Sequence, residues 1–97
     1  LVTKGQQAFT YASEADLLNV ALFGKTAREW KEQNPEAKGN IRDEATIQQL
    51  IVLSNLESMN AELIKQKLSQ NQRLKFLNKM GIEQLTSLLG SPAIKKL

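Results

Sequence analysis

Apolar residues recur every three or four positions along most of this chain, and nowhere in the strict alternation of a half-buried strand. The spacing predicts helices over 14–23, 27–33, 44–67, 70–89 and 92–96. The first half of the third is apolar on nearly every side, through Ile47, Leu50, Ile51, Val52 and Leu53. Farther on, Leu56, Met59, Leu63 and Ile64 hold one arc while Asn55, Ser58, Glu62, Lys65 and Gln66 take the other. That pattern predicts a central helix with Leu50, Leu53, Leu56 and Leu63 in the core. The first helix, with Leu17, Leu18, Val20, Leu22 and Phe23, should be largely enclosed. The fourth carries Leu74, Leu77, Gly81, Leu85 and Leu88 as one stripe, widened by Ile82 and Leu89, and the short second attaches through Ala27 and Trp30.

Polar residues mark the helix ends. "SEAD" sets Ser13 as N-cap with Asp16 three residues on, "TARE" repeats this with Thr26 and Glu29, and "SQNQ" sets Ser69 against Gln72. Asp43 precedes "EATIQQL" and is the expected cap of the third helix. Ser91-Pro92 reads as a cap followed by proline at the first helical position, and Gly24 and Gly90 suit the left-handed residue that ends a helix. Only a short turn separates the third and fourth helices. The expected fold is therefore all-α: a compact bundle of about five helices around a central long helix (44–67) paired antiparallel with helix 70–89. Residues 1–10 read as a linker or extended arm, and 11–97 as a single all-α domain.

Composition narrows the chemistry. At 97 residues the chain can bury roughly 60–65% of its unfolded surface. It has neither cysteine nor histidine, which excludes disulfides, thiol chemistry, histidine-based triads and the usual zinc sites. The lack of cysteine agrees with a cytoplasmic location. No apolar run approaches the ~18 residues of a membrane span, and "LVTKGQQAFT" lacks the order of a signal peptide. The first residue is Leu1, not methionine, which suggests a piece of a longer chain. Net charge is +3, and beyond Ile64 the cations Lys65, Lys67, Arg73, Lys75, Lys79, Lys95 and Lys96 face only Glu83. This basic third reads first as a solvated face and second as a nucleic-acid contact, with Lys65, Lys67, Arg73, Lys75 and Lys79 as its candidates.

Three further groups invite a role. "KGNIRD" joins a turn, Lys38 and Arg42 to a helix start, where an anion could sit. Asp43 as cap would occupy that space, so Arg42 is expected to pair with a carboxylate, its fork suiting a bidentate contact. Glu57 and Asn60 fall on the apolar side of the helical wheel. Glu57 could act as a general acid or base, but no second acid, histidine or metal set accompanies it. The expectation is a structural one: both at least partly buried, Glu57 on a basic side chain or a helix-start N–H, Asn60 tying loop backbone to the core. Phe76 and Met80, one turn apart and off the main stripe, await cover by "PAIKKL" or mark a partner contact.

The wording of the chain carries a resemblance. "YASEADLLNVALFGKTAREWKEQNPEAKGNIRDEATIQQLIVLSNLESMNAELI", followed by "LSQNQRLKFLN" and "SLLG", resembles the C-terminal region of bacterial and phage-derived KilA-N domain proteins, over about Phe9 to Lys96. In that family a separate N-terminal KilA-N domain is the DNA-binding part, in proteins likened to phage antirepressors. The resemblance implies that the present chain is an accessory domain without catalytic residues, cofactor or small-molecule substrate. DNA would be bound mainly by the KilA-N domain outside it. A protein partner, or self-association, is the expected role. Two positions depart from the pattern. Lys67 stands where similar sequences tend to have glycine, so the turn into "LSQ" is expected to carry strain or differ in shape. Glu83 stands where a basic residue is common, which weakens a DNA-gripping face.

Overall fold

The computed structural model describes residues 10–90, and among them are four helices and no strand. Helix α1 is Glu14–Phe23, α2 Ala27–Gln33, α3 Ile47–Lys65 and α4 Gln70–Gly90. The all-α class agrees with the sequence, with four helices in place of about five. The expected fifth, 92–96, with its Ser91-Pro92 cap, lies outside the described residues. No helix among the described residues is long and apolar enough to cross a membrane.

Local chemistry explains most boundaries. The Asp16 N–H donates to Ser13 Oγ at 3.1 Å, satisfying a donor that the first turn of α1 leaves open. Gly24 closes α1 at φ 79°, its N–H donating to the Val20 carbonyl. Thr26 and Glu29 form a reciprocal capping box on α2. Ser69 and Gln72 do the same for α4, at 3.2 and 2.9 Å.

The third helix departs from expectation at both ends. Its cap is Thr46, whose Oγ1 accepts from the Gln49 N–H while Gln49 Oε1 accepts from the Thr46 N–H. Asp43 does not cap it. The Asp43 carboxylate instead accepts the Asn40 N–H at 2.8 Å, and Asn40 Oδ1 accepts the Arg42 N–H, so "KGNIRD" closes on itself as a turn. Ile41, 5% exposed, plugs this turn into the protein and holds 41–44 off the helix axis.

At its far end α3 stops at Lys65, not Lys67. The Leu68 N–H donates to the Leu63 carbonyl at 3.2 Å and the Lys67 N–H to the Ile64 carbonyl at 2.9 Å, the bond pair of a Schellman motif. Lys67 occupies its left-handed position at φ 63°, the sole non-glycine residue with positive φ among those described. A side chain there carries the strain of the left-handed region, which a glycine would avoid. Leu68 packs on the core beyond the turn.

Helices α3 and α4 run antiparallel, as expected. Asn60 pairs with Arg73 near the turn and Asn55 with Gln84 farther away. α1 lies across both. Leu17, Leu18 and Ala21 meet Val52, Leu53, Leu56 and Leu63 of α3 and Leu77 of α4 in one apolar cluster. Gly81 lies where the three helices meet: a Cβ there would stand 3.4 Å from Leu56 Cδ1 and 3.6 Å from Leu22 Cδ1, at ordinary contact distance. α2 contributes no buried residue.

Leu50 corrects the core expectation. Leu53, Leu56 and Leu63 are buried, but Leu50 is 42% exposed, with Ile47 and Ile51 more so. The start of α3 is apolar all round, yet α1 and α4 cover only one side of it.

Candidate functional site

The most developed polar constellation lies at the turn end of the α3–α4 hairpin. Arg73 of α4 is 6% exposed, and its guanidinium reaches three elements. Nη1 and Nη2 donate to Glu14 Oε1 and Oε2 at 2.6 and 3.3 Å, and Nη1 also donates to Asn60 Oδ1 at 3.0 Å. Nε donates to the Leu68 carbonyl beyond the Schellman turn. Asn60, 3% exposed, returns a bond from Nδ2 to Glu14 Oε1 at 2.9 Å. The result is a closed triangle of Glu14, Asn60 and Arg73 joining α1, α3 and α4. The two-pronged contact on Glu14 uses the planar fork that distinguishes arginine from lysine.

The electrostatics follow from this geometry. The Arg73 guanidinium bonding to Glu14 holds its carboxyl below the usual carboxylate range, against a smaller opposing push from desolvation. Nearby, the Tyr11 N–H donates to Gln70 Oε1 at 2.8 Å, and Gln70 Nε2 donates back to the Tyr11 carbonyl. This clips the segment before α1 onto the start of α4. Burial, with Glu29 adding to it, pushes the Tyr11 phenol up.

Arginine 42 builds a smaller bridge on the other side of α1. Its Nε donates to Asn19 Oδ1 at 3.3 Å and its Nη1 stands 3.7 Å from Glu57 Oε2. The expected pairing of Arg42 with a carboxylate is present, as a single long contact and not a bidentate one. Glu57 does take a basic partner, but its side chain is 49% exposed, so the expected burial holds for Asn60 and not for Glu57. Asn60 ties side chains together more than loop backbone. No group of acidic side chains that could hold a metal ion occurs among the described residues.

Of the five cations considered for nucleic acid, Lys65, Lys67, Lys75 and Lys79 are exposed. Arg73 is withdrawn into the triangle and presents no free fork to a phosphate. Met80 packs against the core and Phe76 is 49% exposed. Their suggested cover, "PAIKKL", lies outside the described residues.

Sequence reasoning missed Glu14 and Asn19. Glu14 sat inside a capping pattern and looked like an ordinary first-turn acid. The available signal was Arg73: on the wheel of α4 it falls beside Leu77, at the edge of the apolar stripe, where a buried arginine requires a partner. Asn19 gave the same signal within the apolar run of α1.

The open end of the hairpin contrasts with all this. Ile47, Leu50 and Ile51 are exposed at 74%, 42% and 47%, and a shallow groove of about 200 Å³ joins Ile51 and Asn55 to Gln84, Ser87 and Leu88. Further hollows lie among the described residues. One of about 610 Å³ is lined by Tyr11, Asp16, Val20, Arg28 and Glu29 among others, and one of about 220 Å³ lies between Phe23, Trp30 and Ile41. No family model, curated protein or solved structure matches the chain.

Proposed function

We propose that this chain is a non-catalytic accessory domain of a phage-type KilA-N DNA-binding protein, acting through protein contact or self-association in the cytoplasm. One observation carries the contact reading: large apolar side chains of α3 stand in the open, at Ile47, Leu50 and Ile51, within a stretch free of charge. Surfaces of that kind accompany association. The polar residues that first suggested chemistry support the same view from the other side. Asn60 and Arg73 are engaged with each other and with Glu14, and Glu57 is engaged with Arg42. The KilA-N context rests on the resemblance of the sequence alone.

Exposure of Lys65, Lys67, Lys75 and Lys79 favours a second reading, direct non-specific nucleic-acid contact. Lys75 and Lys79 are one turn apart on α4, but with Arg73 sequestered the face lacks an arginine to fork onto phosphate or base. Titrating labelled operator-like and scrambled duplexes at two salt concentrations separates the two. The contact reading expects binding no tighter than about 10⁻⁴ to 10⁻⁶ M at physiological salt, without sequence preference. Nanomolar binding that favours one sequence and is abolished by charge reversal at Lys75 and Lys79 would promote the second reading and end the first.

A further inference from the structure

We propose that residues 25–45 form a strap that swings off the core of α1, α3 and α4 as one unit, while those three helices stay folded. It pivots at Gly24 and at the junction before Thr46. Both borders are closed without it. α1 ends on its own bond, the Gly24 N–H donating to the Val20 carbonyl. Gly24 takes a left-handed φ of 79°, with nothing within 4 Å of where a Cβ would stand. α3 begins on its own capping box, between Thr46 and Gln49. Asp43 as the cap would have tied the strap to the first turn of α3. With Thr46 in that place, neither helix loses a terminal bond when the strap leaves.

Many of the strap's hydrogen bonds turn inward. Thr26 and Glu29 bond to each other, and Lys25 Nζ donates to Gln33 Oε1 at 2.7 Å. Lys31 Nζ donates to the Ala37 carbonyl, Asn34 Nδ2 to the Trp30 carbonyl, and the Asn40 N–H to the Asp43 carboxylate. The seating of the strap on the core is loose by comparison. α2 contributes no buried residue, and the hollows of about 610 and 220 Å³ open along it, where a well-seated helix would bring side chains into contact. The firm anchors are neighbours in sequence. Ile41 is buried, but outside the apolar cluster that joins α1, α3 and α4. Arg42 reaches Asn19 at 3.3 Å and Glu57 at 3.7 Å, both long contacts. A segment with few buried apolar contacts opens at lower free energy than the whole fold. Opening withdraws Arg42 from both partners and empties the seat of Ile41, so that an amide on α1 and a carboxylate on α3 are freed in one movement.

The test is amide hydrogen exchange of the full 97-residue chain, followed residue by residue by NMR over a series of low urea concentrations. The Trp30 and Asn34 amides, bonded to the Thr26 and Trp30 carbonyls, report on α2. They should exchange at least about tenfold faster than the central amides of α3, with a shallower urea dependence because less surface is exposed. Ile41→Ala should speed Trp30 and Asn34 by a further tenfold or so, although Ile41 lies outside α2; Ile41→Val should do the same to a smaller degree. Leu56→Ala, or the milder Val52→Ala, should speed the α3 amides and leave Trp30 and Asn34 unchanged, since neither side chain belongs to the strap. If Ile41→Ala and Ile41→Val leave Trp30 and Asn34 unmoved, α2 frays alone and the strap is not a unit. If Leu56→Ala or Val52→Ala speeds both sets of amides equally, the chain opens as one body and the inference falls. Neither result touches the protein-contact reading, which falls separately on the selective DNA binding described above.

Discussion

The two ends of the α3–α4 hairpin are built on opposite terms. At the turn, Arg73 is buried against Glu14 and Asn60, and every buried side-chain nitrogen and oxygen among the described residues has a partner. At the other end, Ile47, Leu50 and Ile51 stand in solvent within the uncharged run 45–56. Both ends belong to the same pair of helices, so helix propensity does not separate them. The difference lies in what crosses them. The first turn of α1, carrying Glu14, passes over the closed end and offers a carboxylate, whereas α1 and α4 leave the outer side of the α3 start bare.

The largest test of the contrast runs along α3 itself. Leu56→Ala should cost about 2–5 kcal/mol because Leu56 is fully buried. Leu50→Ala, six residues earlier, should cost less than about 0.5 kcal/mol in the dilute chain, as for an ordinary surface position. Urea titrations of both give the comparison, and equal losses would mean that the open end is covered in solution.

Next in size is the closed end. Arg73→Ala strands Asn60 Oδ1 and the Leu68 carbonyl and removes the charged partner of Glu14, which keeps only its bond from the Asn60 amide and neutral neighbours. A fully buried pair broken in this way loses about 3–5 kcal/mol, but Glu14 is 45% exposed and can recover water, so about 2–3 kcal/mol is expected. Arg73→Lys should restore only part of it, since an ammonium cannot reproduce the planar fork. Full recovery with lysine would show that charge alone matters there.

The same pair gives a smaller, pH-dependent effect. Glu14 has a folded pKa below its ordinary value, so its contribution is fully present above the unfolded carboxylate range. It is lost as pH falls from that range through the depressed folded value. Thermal melts of the wild type and Glu14→Gln should therefore differ near neutrality and converge in acid. A constant gap over the whole range would remove the ion pair from the account. The smallest expected effect is at the turn: Lys67→Gly should raise stability by about 0.5–1 kcal/mol, relief of the left-handed strain exceeding the entropy cost of glycine. Melting at lower temperature than wild type would sink it.

What the sequence shows of this molecule divides by range. Caps at Ser13, Thr26 and Ser69 and the stop at Gly24 depend on neighbours within a few residues, and they are legible, whereas the left-handed turn at Lys67 had no such local signal and the helix was expected to run through it. The start of α3 was misjudged because Asp43 and Thr46 both have a plausible cap pattern, and burial of Ile41 decides between them from outside the helix. Leu50 was placed in the core because a fully apolar turn says that some side is covered, not which. The Glu14–Asn60–Arg73 triangle was half legible. Asn60 stood out on its apolar arc, but Arg73 was read as one cation of the basic third, and the acid that satisfies both comes from a different helix.

That acid lies 59 residues from its arginine, and this separation has a kinetic consequence. The hairpin of α3 and α4 closes a short loop, while docking α1 closes a much longer one and bears the larger entropy of closure. We predict that the α1 contacts form after the rate-limiting step, once the hairpin is in place. The guanidinium should therefore govern how slowly the folded chain opens and hardly at all how fast it forms. In stopped-flow chevrons, Arg73→Ala should raise the unfolding limb and leave the refolding limb nearly unmoved. A local change within the hairpin, such as Lys67→Gly, should show itself on the refolding limb instead.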